Sequence, residues 1–251
     1  MNAEERRKRI ETYLHEVEFA SLEELATQVN ASLSTVRRDL TALEGDGNIR
    51  RTHGGARLLQ PRSDEFSFPH RGQNQQDEKD RIGKACADLI ESNQSVICDA
   101  GTTVWSAARH LEPKTPQIIT NSLPVATHYA SNNQLEVIVS GGVIYPRLGV
   151  LVGSLAEKAF QGMHVDVAIM GAGGLTEDGV TNSHVLLIDI QMAMMRAARK
   201  VILCLDASKI GRKSVTRLCG LDQIDILVTT AEPYDHLKQA LKNHNVEIVV
   251  V

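Results

Sequence analysis

The sequence predicts an α/β chain in two parts: a small helical module closed by a short β-ribbon, then a larger, mostly parallel α/β domain. Three observations carry this. Two amphipathic helical patterns stand almost end to end between residues 21 and 45, followed by a basic, glycine-centred hairpin pattern. A polar stretch with Pro61 and Pro69 then interrupts all periodicity. From Asp77 onward, near-continuous apolar runs alternate with helical ones, as in a parallel sheet covered on both faces.

In the first part, "ERRKRIETYLHEV" reads as a supporting helix through Ile10, Tyr13, Leu14 and Val17, and "SLEELATQV" as a short helix through Leu22, Leu25, Ala26 and Val29. Only Asn30 and Ala31 separate it from Ser32, the expected N-cap of "SLSTVRRDL". At about 100° per residue, Leu33, Val36, Leu40 and Leu43 share one stripe, and Gly45 to Gly47 end the helix. Ser34, Thr35 and Arg38 lie on the opposite face, with Arg37 on the flank. Two helices joined so tightly form a helix-turn-helix pattern whose second helix enters a major groove. Ile49 to Thr52 and Ala56 to Leu59 are extended runs around His53-Gly54-Gly55, a basic wing. Double-stranded DNA is the expected partner, against the alternative of a merely solvated helix face. Net charge does not argue this, because residues 1 to 57 hold nine Lys/Arg against ten Asp/Glu. Placement does: Arg37 and Arg38 sit on the second helix, and Arg50, Arg51, His53 and Arg57 on the wing. Phosphate contacts then supply affinity, and helix side chains read bases.

The segments "TVRRDL" and "RRTHGG" resemble the winged helix-turn-helix of the DeoR family of bacterial transcriptional regulators. The resemblance implies operator contacts for Ser34, Thr35, Arg37 and Arg38; Arg51 and His53 are expected to join them from their place on the wing.

The remaining length suffices for a second domain with a sizeable core. Boundaries are expected at 1–58 for the DNA-binding domain, 59–76 for a linker and 77–251 for the second domain. A net charge of −4 with 42% hydrophobic residues is an ordinary soluble composition that steers the chain as a whole toward no polyanion. Cys86, Cys98, Cys204 and Cys219 form no C-x-x-C pair and lie in or beside apolar runs, so buried free thiols and a reducing, cytoplasmic setting are expected. No signal-peptide core and no apolar run of about 18 residues appears, so no membrane association is expected.

In open α/β sheets, ligands bind beyond the carboxyl ends of the strands. Those ends are polar and glycine-rich here: Asp99-Ala100-Gly101-Thr102-Thr103 after "SVIC", Thr120-Asn121-Ser122 after "QII", and Ser140-Gly141-Gly142 after "EVIV". Gly171-Ala172-Gly173-Gly174 follows "DVAIM", and Asp206-Ala207-Ser208-Lys209 follows "KVILCL". Such turns let backbone N–H groups and hydroxyls surround an anion at a helix start. A phosphate on Gly101, Thr102 and Thr103, with Lys209 as its cation, fits best. Asp99 and Asn121 are expected to meet hydroxyls or organise the loops. Ser122, Gly141, Gly142, Gly171 and Gly173 line the same edge. "GAGG" lacks the G-x-G-x-x-G spacing, no G-x-x-x-x-G-K-[ST] occurs, and no histidine has a partner at ligand spacing, so neither a cofactor nor a metal is expected.

"DAGTT", "TNS", "SGG", "GAGGLTEDGVT" and "DASK" extend the resemblance to the effector domain of DeoR-type repressors, which is similar to ribose-5-phosphate isomerase and binds phosphorylated sugars. One segment departs: where the family commonly carries an acidic residue and then Lys, this chain has Asp189-Ile190-Gln191. The whole then reads as α/β, a small N-terminal winged helix-turn-helix domain followed by a mostly parallel effector-binding domain. The expected function is a transcriptional regulator, a repressor controlled by a sugar phosphate. The alternative is an isomerase-like enzyme with an accessory DNA-binding module, since Asp99, Asp189, Asp206 and Lys209 can move protons. The acid-rich loop of those isomerases is replaced here by "GAGGL". One recognition helix reads few base pairs, so a homo-dimer or homo-tetramer on repeated half-sites is expected.

Overall fold

The computed structural model of the chain describes its residues apart from 1, 18, 46–48, 53, 59–67, 115 and 131–134. It divides into two compact units, Met1–Glu65 and Phe66–Val251. No helix among the described residues is long and apolar enough to cross a membrane.

The first unit runs α1 (Ala3–Val17), β1 (Phe19–Ser21), α2 (Leu22–Val29), α3 (Leu33–Gly45), β2 (Ile49–Thr52) and β3 (Gly55–Leu58). A capping box starts α2: the Glu24 N–H donates to Ser21 Oγ at 3.2 Å while the Ser21 N–H donates to Glu24 Oε2 at 2.7 Å. Asn30, left-handed at φ 47, ends it. The strands form an antiparallel sheet in the order β1-β3-β2. A Cβ on Gly55 would lie 2.1 Å from the Ala20 carbonyl oxygen, so only glycine admits the β1–β3 pairing there. Ile10, Leu14, Leu25, Val29, Val36, Leu40 and Leu43 are buried together, as their spacing predicts. Leu33 is a correction: at the first position of α3 it is 38% exposed, so the packed stripe begins at Val36.

The second unit carries a seven-stranded, all-parallel sheet in the order β15-β14-β12-β9-β4-β5-β6. Its strands are β4 (Ser95–Cys98), β5 (Gln117–Thr120), β6 (Val137–Val139), β9 (Val165–Met170), β12 (Ala198–Leu205), β14 (Ile226–Thr229) and β15 (Glu247–Val250). Side chains alternate between two cores. Val96, Cys98, Val167, Ile169, Ile202 and Cys204 pack under α5 (Gln76–Asp88), α6 (Thr102–Arg109) and α7 (Leu123–Ala130). Ile97, Ala168, Met170, Leu203 and Leu205 face α8 (Ser154–Phe160), α9 (Val185–Ala197) and α10 (Asp235–Asn243). All four cysteines are buried and free.

Two further sheets escape the periodicity. β7 (Val143–Tyr145) pairs with β8 (Val150–Val152), and β10 (Gly174–Thr176), β11 (Gly179–Asn182) and β13 (Thr216–Cys219) form a second antiparallel set. Each strand is three or four residues long, too short for alternation to register. The stretch expected to be linker is corrected at its far end, where Phe68–Gln73 forms α4 and the Phe68 N–H donates to the Arg147 carbonyl at 3.1 Å. A six-residue helix that itself contains Pro69 offers no period to read.

Candidate functional site

On α3, Ser34, Arg37 and Arg38 are exposed and Thr35 is half-buried. The Ser34 and Thr35 hydroxyls each lie 2.9 Å from Ser32 Oγ, so the helix start presents a cluster of three hydroxyls. Between the arginines and the next turn, Asp39 is turned inward, 5% exposed, and receives two bonds from Arg6: Nε to Oδ2 at 2.5 Å and Nη2 to Oδ1 at 3.1 Å. This paired carboxylate fixes the roll of α3 against α1, which aims its neighbour Arg38 outward. Arg51, expected only as a phosphate contact, is tied to α3. Its N–H donates to Glu44 Oε1 at 2.9 Å, its Nε lies 3.7 Å from Glu44 Oε2, and its Nη1 donates to the Thr41 hydroxyl. His53 lies outside the described residues.

The second site sits where the strand order of the sheet reverses, between β4 and β9. β4 lies between β9 and β5, with β5 and β6 added outward on one side and β12, β14 and β15 on the other. Because every pairing is parallel, the carboxyl ends of β4, β5, β6, β9 and β12 share one edge, and the expected residues after each strand are gathered there. Gly101 holds φ 142, and a Cβ on it would meet nothing within 4 Å. It precedes α6, whose first amides receive no side-chain cap. Thr102 is 8% exposed and Thr103 half-buried.

Asp99 is 1% exposed, and its Oδ2 accepts from the Gly171 N–H at 3.2 Å and from Gln191 Nε2 at 2.6 Å. Burial pushes its carboxyl up to about 6, even though these bonds and the nearby Arg71 favour the charged form. Gln191 also donates to the Gly171 carbonyl at 3.1 Å and accepts from Asn182 Nδ2 at 2.7 Å. A buried amide network thus joins the ends of β4, β9 and β11 to α9. Asp189, two residues away, is exposed.

The other expected residues divide by role. Asn121 donates to the Leu151 carbonyl at 3.1 Å, and its buried Oδ1 has no partner. Ser122 is 1% exposed and bridges to Val150, so this turn also anchors β8. Gly141 and Gly142 have φ 71 and 116, and a Cβ on Gly142 would lie 2.7 Å from the Val152 carbonyl oxygen, a packing requirement in itself. A Cβ on Gly171 would lie 3.5 Å from Val104 Cγ2, and one on Gly173 would lie 2.5 Å from Ser214 Oγ. Lys209 ends a 3-10 turn, Ala207–Lys209, capped by Asp206, whose Oδ1 accepts from the Ser208 N–H at 3.0 Å.

Lys79 was not read from the sequence, and Gln191 only as part of a departure from the family pattern, though both carry a signal in it. Gln191 falls on the apolar stripe of Leu187 and Met194, and Lys79 on that of Ile82 and Cys86. A polar residue on a buried stripe needs a partner, and both have one. Lys79, 7% exposed, donates to the carbonyls of Arg71 at 2.5 Å and Asn74 at 2.6 Å.

A polar recognition helix with a wing, in one chain with a parallel sheet whose switch point collects such turns, defines a DNA-binding regulator with a small-molecule sensor domain. Residues 6–62 match the DeoR-like helix-turn-helix domain, and residues 74–231 match the DeoR C terminal sensor domain. The chain belongs to the DeoR family of transcriptional regulators. It is 33% identical to the HTH-type transcriptional repressor GlcR of Bacillus subtilis (strain 168) over 250 residues, 100% of this chain and 97% of that protein. It is 29% identical to the glycerol-3-phosphate regulon repressor of Escherichia coli (strain K12), over 92% of each. Ribose 5-phosphate isomerase from Plasmodium falciparum aligns with 52% of this chain and 51% of its own at 12% identity and a TM-score of 0.39, from which nothing about function follows.

Proposed function

We propose that this regulator represses a sugar or related carbon-catabolism operon in the cytoplasm and that a phosphorylated sugar, bound at the carboxyl edge of the seven-stranded sheet, sets its operator affinity. The observation that carries the reading is the uncapped start of α6 behind the open Gly101 turn, on the edge that also bears Lys209. Gly101, Thr102 and Thr103 take the phosphate, and Lys209 its charge. Asn121 meets a sugar hydroxyl, in keeping with its buried, unpartnered Oδ1. Asp99 organises the loops through Gly171 and Gln191, while Ser122, Gly141, Gly142, Gly171 and Gly173 frame the edge. Ser34, Thr35, Arg37 and Arg38 face the major groove, with Arg51 and His53 on the wing. The functional domains are 1–58 and 77–251, with α4 (Phe68–Gln73), from the stretch expected to join them, belonging to the effector unit. The ligand acts only by preferring one state of the protein over another. Two copies, or two pairs, read half-sites about 10–10.5 bp apart or a multiple of that.

Isomerase chemistry is disfavoured because the group beside Asp99 is an amide, Gln191, which neither gives nor takes a proton, while Asp189 is exposed. The test is thermal shift with glucose 6-phosphate, fructose 6-phosphate, fructose 1-phosphate, glycerol 3-phosphate and the unphosphorylated sugars. A matching phosphate at about 100 times its Kd adds roughly 2.7 kcal/mol, and Lys209→Ala removes most of that response. Equal shifts with phosphorylated and plain sugars, or with the wild type and Lys209→Ala, overturn the reading. Sedimentation as a monomer overturns the assembly.

A further inference from the structure

We propose that Arg71 is an anion-contacting residue of the sensor site and that Lys79 is the positioning residue that holds it there. The inference rests on the reading of the Gly101–Thr103 turn as a phosphate cradle, and its ligand class is the same, a phosphate monoester.

The geometry begins with α4. A Cβ on Gly72 would lie 3.9 Å from Thr102 Cγ2, so the helix crosses the start of α6 within a side chain's reach of that turn. Arg71 is the preceding residue. Lys79, on α5, grips the same piece of backbone: its buried ammonium donates to the Arg71 carbonyl at 2.5 Å and the Asn74 carbonyl at 2.6 Å. These are carbonyls of the last turn of α4 and of the residue after it, where a cation is favoured by the unsatisfied helix end. Between the two helices the chain turns sharply at Gln75, φ 51. The ammonium therefore fixes where the backbone of Arg71 stands.

The charges agree with that placement. Burial pulls the Lys79 ammonium down, Asp206 favours its charged form, and Arg71 and Lys209 both oppose it, so the three cations share one neighbourhood at the end of β12. Arg71 also lowers Asp99. A phosphate on the Gly101 turn would share its neighbourhood with Arg71 and Lys209, and a guanidinium binds such an oxyanion through two N–H groups at once.

The experiment is calorimetric titration of the full chain with glucose 6-phosphate, fructose 6-phosphate, fructose 1-phosphate, glycerol 3-phosphate and inorganic phosphate. For whichever of these binds the wild type, Arg71→Gln is expected to raise Kd at least tenfold, and Arg71→Lys, which keeps the charge without the fork, to fall between. Lys79→Met is expected to weaken binding in the wild-type background and to add little in the Arg71→Gln background, the coupling that a positioning role requires. If Arg71→Gln lacks a normal melting transition, the Arg71→Lys affinity decides the first point. Wild-type affinity in the Arg71 variants overturns this inference and leaves the phosphate reading intact. Additive losses overturn the role of Lys79. Binding by none of the five compounds overturns both readings.

Discussion

Gln191 Nε2 stands 2.6 Å from Asp99 Oδ2, an amide bonded to a carboxylate that is 1% exposed, and the amide is locked in turn by Asn182. A neutral donor stabilises the carboxylate without compensating its burial, which is why Asp99 is pushed up to about 6. Its folded-state value lies above that of an unfolded carboxyl, so ionised Asp99 costs stability above pH 6, and the cost disappears as pH falls through that value toward 4. A displacement of this size is worth roughly 3 kcal/mol. Asp99→Asn, with its Oδ1 in place of the carboxylate oxygen, is therefore expected to melt above the wild type at pH 7.5. The difference should shrink steadily by pH 5. A constant difference across that range would remove Asp99 as its origin.

Asp39 and Arg38 are adjacent on α3 and face opposite ways, which separates fold from recognition in one pair of variants. Asp39→Ala leaves the Arg6 guanidinium without its carboxylate, and the melting temperature of the first unit is expected to fall. Arg38→Ala is expected to leave melting unchanged and abolish specific operator binding, since a bidentate base contact discriminates by about 1–3 kcal/mol. Melting curves and gel shifts on the two proteins check both statements.

How much of this was legible depends on whether a residue's partner is near it in sequence. The α3 stripe from Val36 to Leu43, the wing and the parallel sheet all follow from local period, and all are present. Asp39 was not legible, because its partner Arg6 is 33 residues away and a carboxylate between arginines reads as solvated. Gly142 shows the converse limit. Read as part of a ligand edge, it has a packing reason in the Val152 carbonyl, a contact with β8, whose three residues carry no usable alternation.

The wing is fastened to α3 through Arg51 and Glu44, and the bonds predict different salt behaviour for the two. Arg51→Ala is expected to weaken binding to all sequences and lower the salt slope by about 1, as for loss of one phosphate contact. Glu44→Gln is expected to weaken binding with the slope unchanged, because it loosens the wing without removing a cation. Affinity measured between 50 and 200 mM salt distinguishes them, and tighter binding by Glu44→Gln would mean that Glu44 only screens the DNA-facing cations.

Gly101→Ala isolates backbone strain at the sensor edge. With nothing within 4 Å of the new Cβ, sterics cannot oppose it, but φ 142 is a conformation that L side chains rarely adopt. Holding alanine there costs of order 1–3 kcal/mol. If the turn keeps its shape, the protein is destabilised by that amount and still responds to its ligand. If the turn relaxes, stability is largely restored, but the Thr102 and Thr103 amides are re-aimed. The uncapped start of α6 has no neighbouring side chain to hold those amides in place, so relaxation is the expected outcome. The variant should then show a near-normal melting temperature and a lost thermal shift with sugar phosphate. Gly45→Ala serves as the control, because Gly45 also has no atom within 4 Å and lacks a left-handed φ, so it should be neutral or slightly stabilising. A Gly101→Ala protein with normal stability and a normal ligand response would show that the turn does not depend on its glycine, and would overturn the expected re-aiming of its amides.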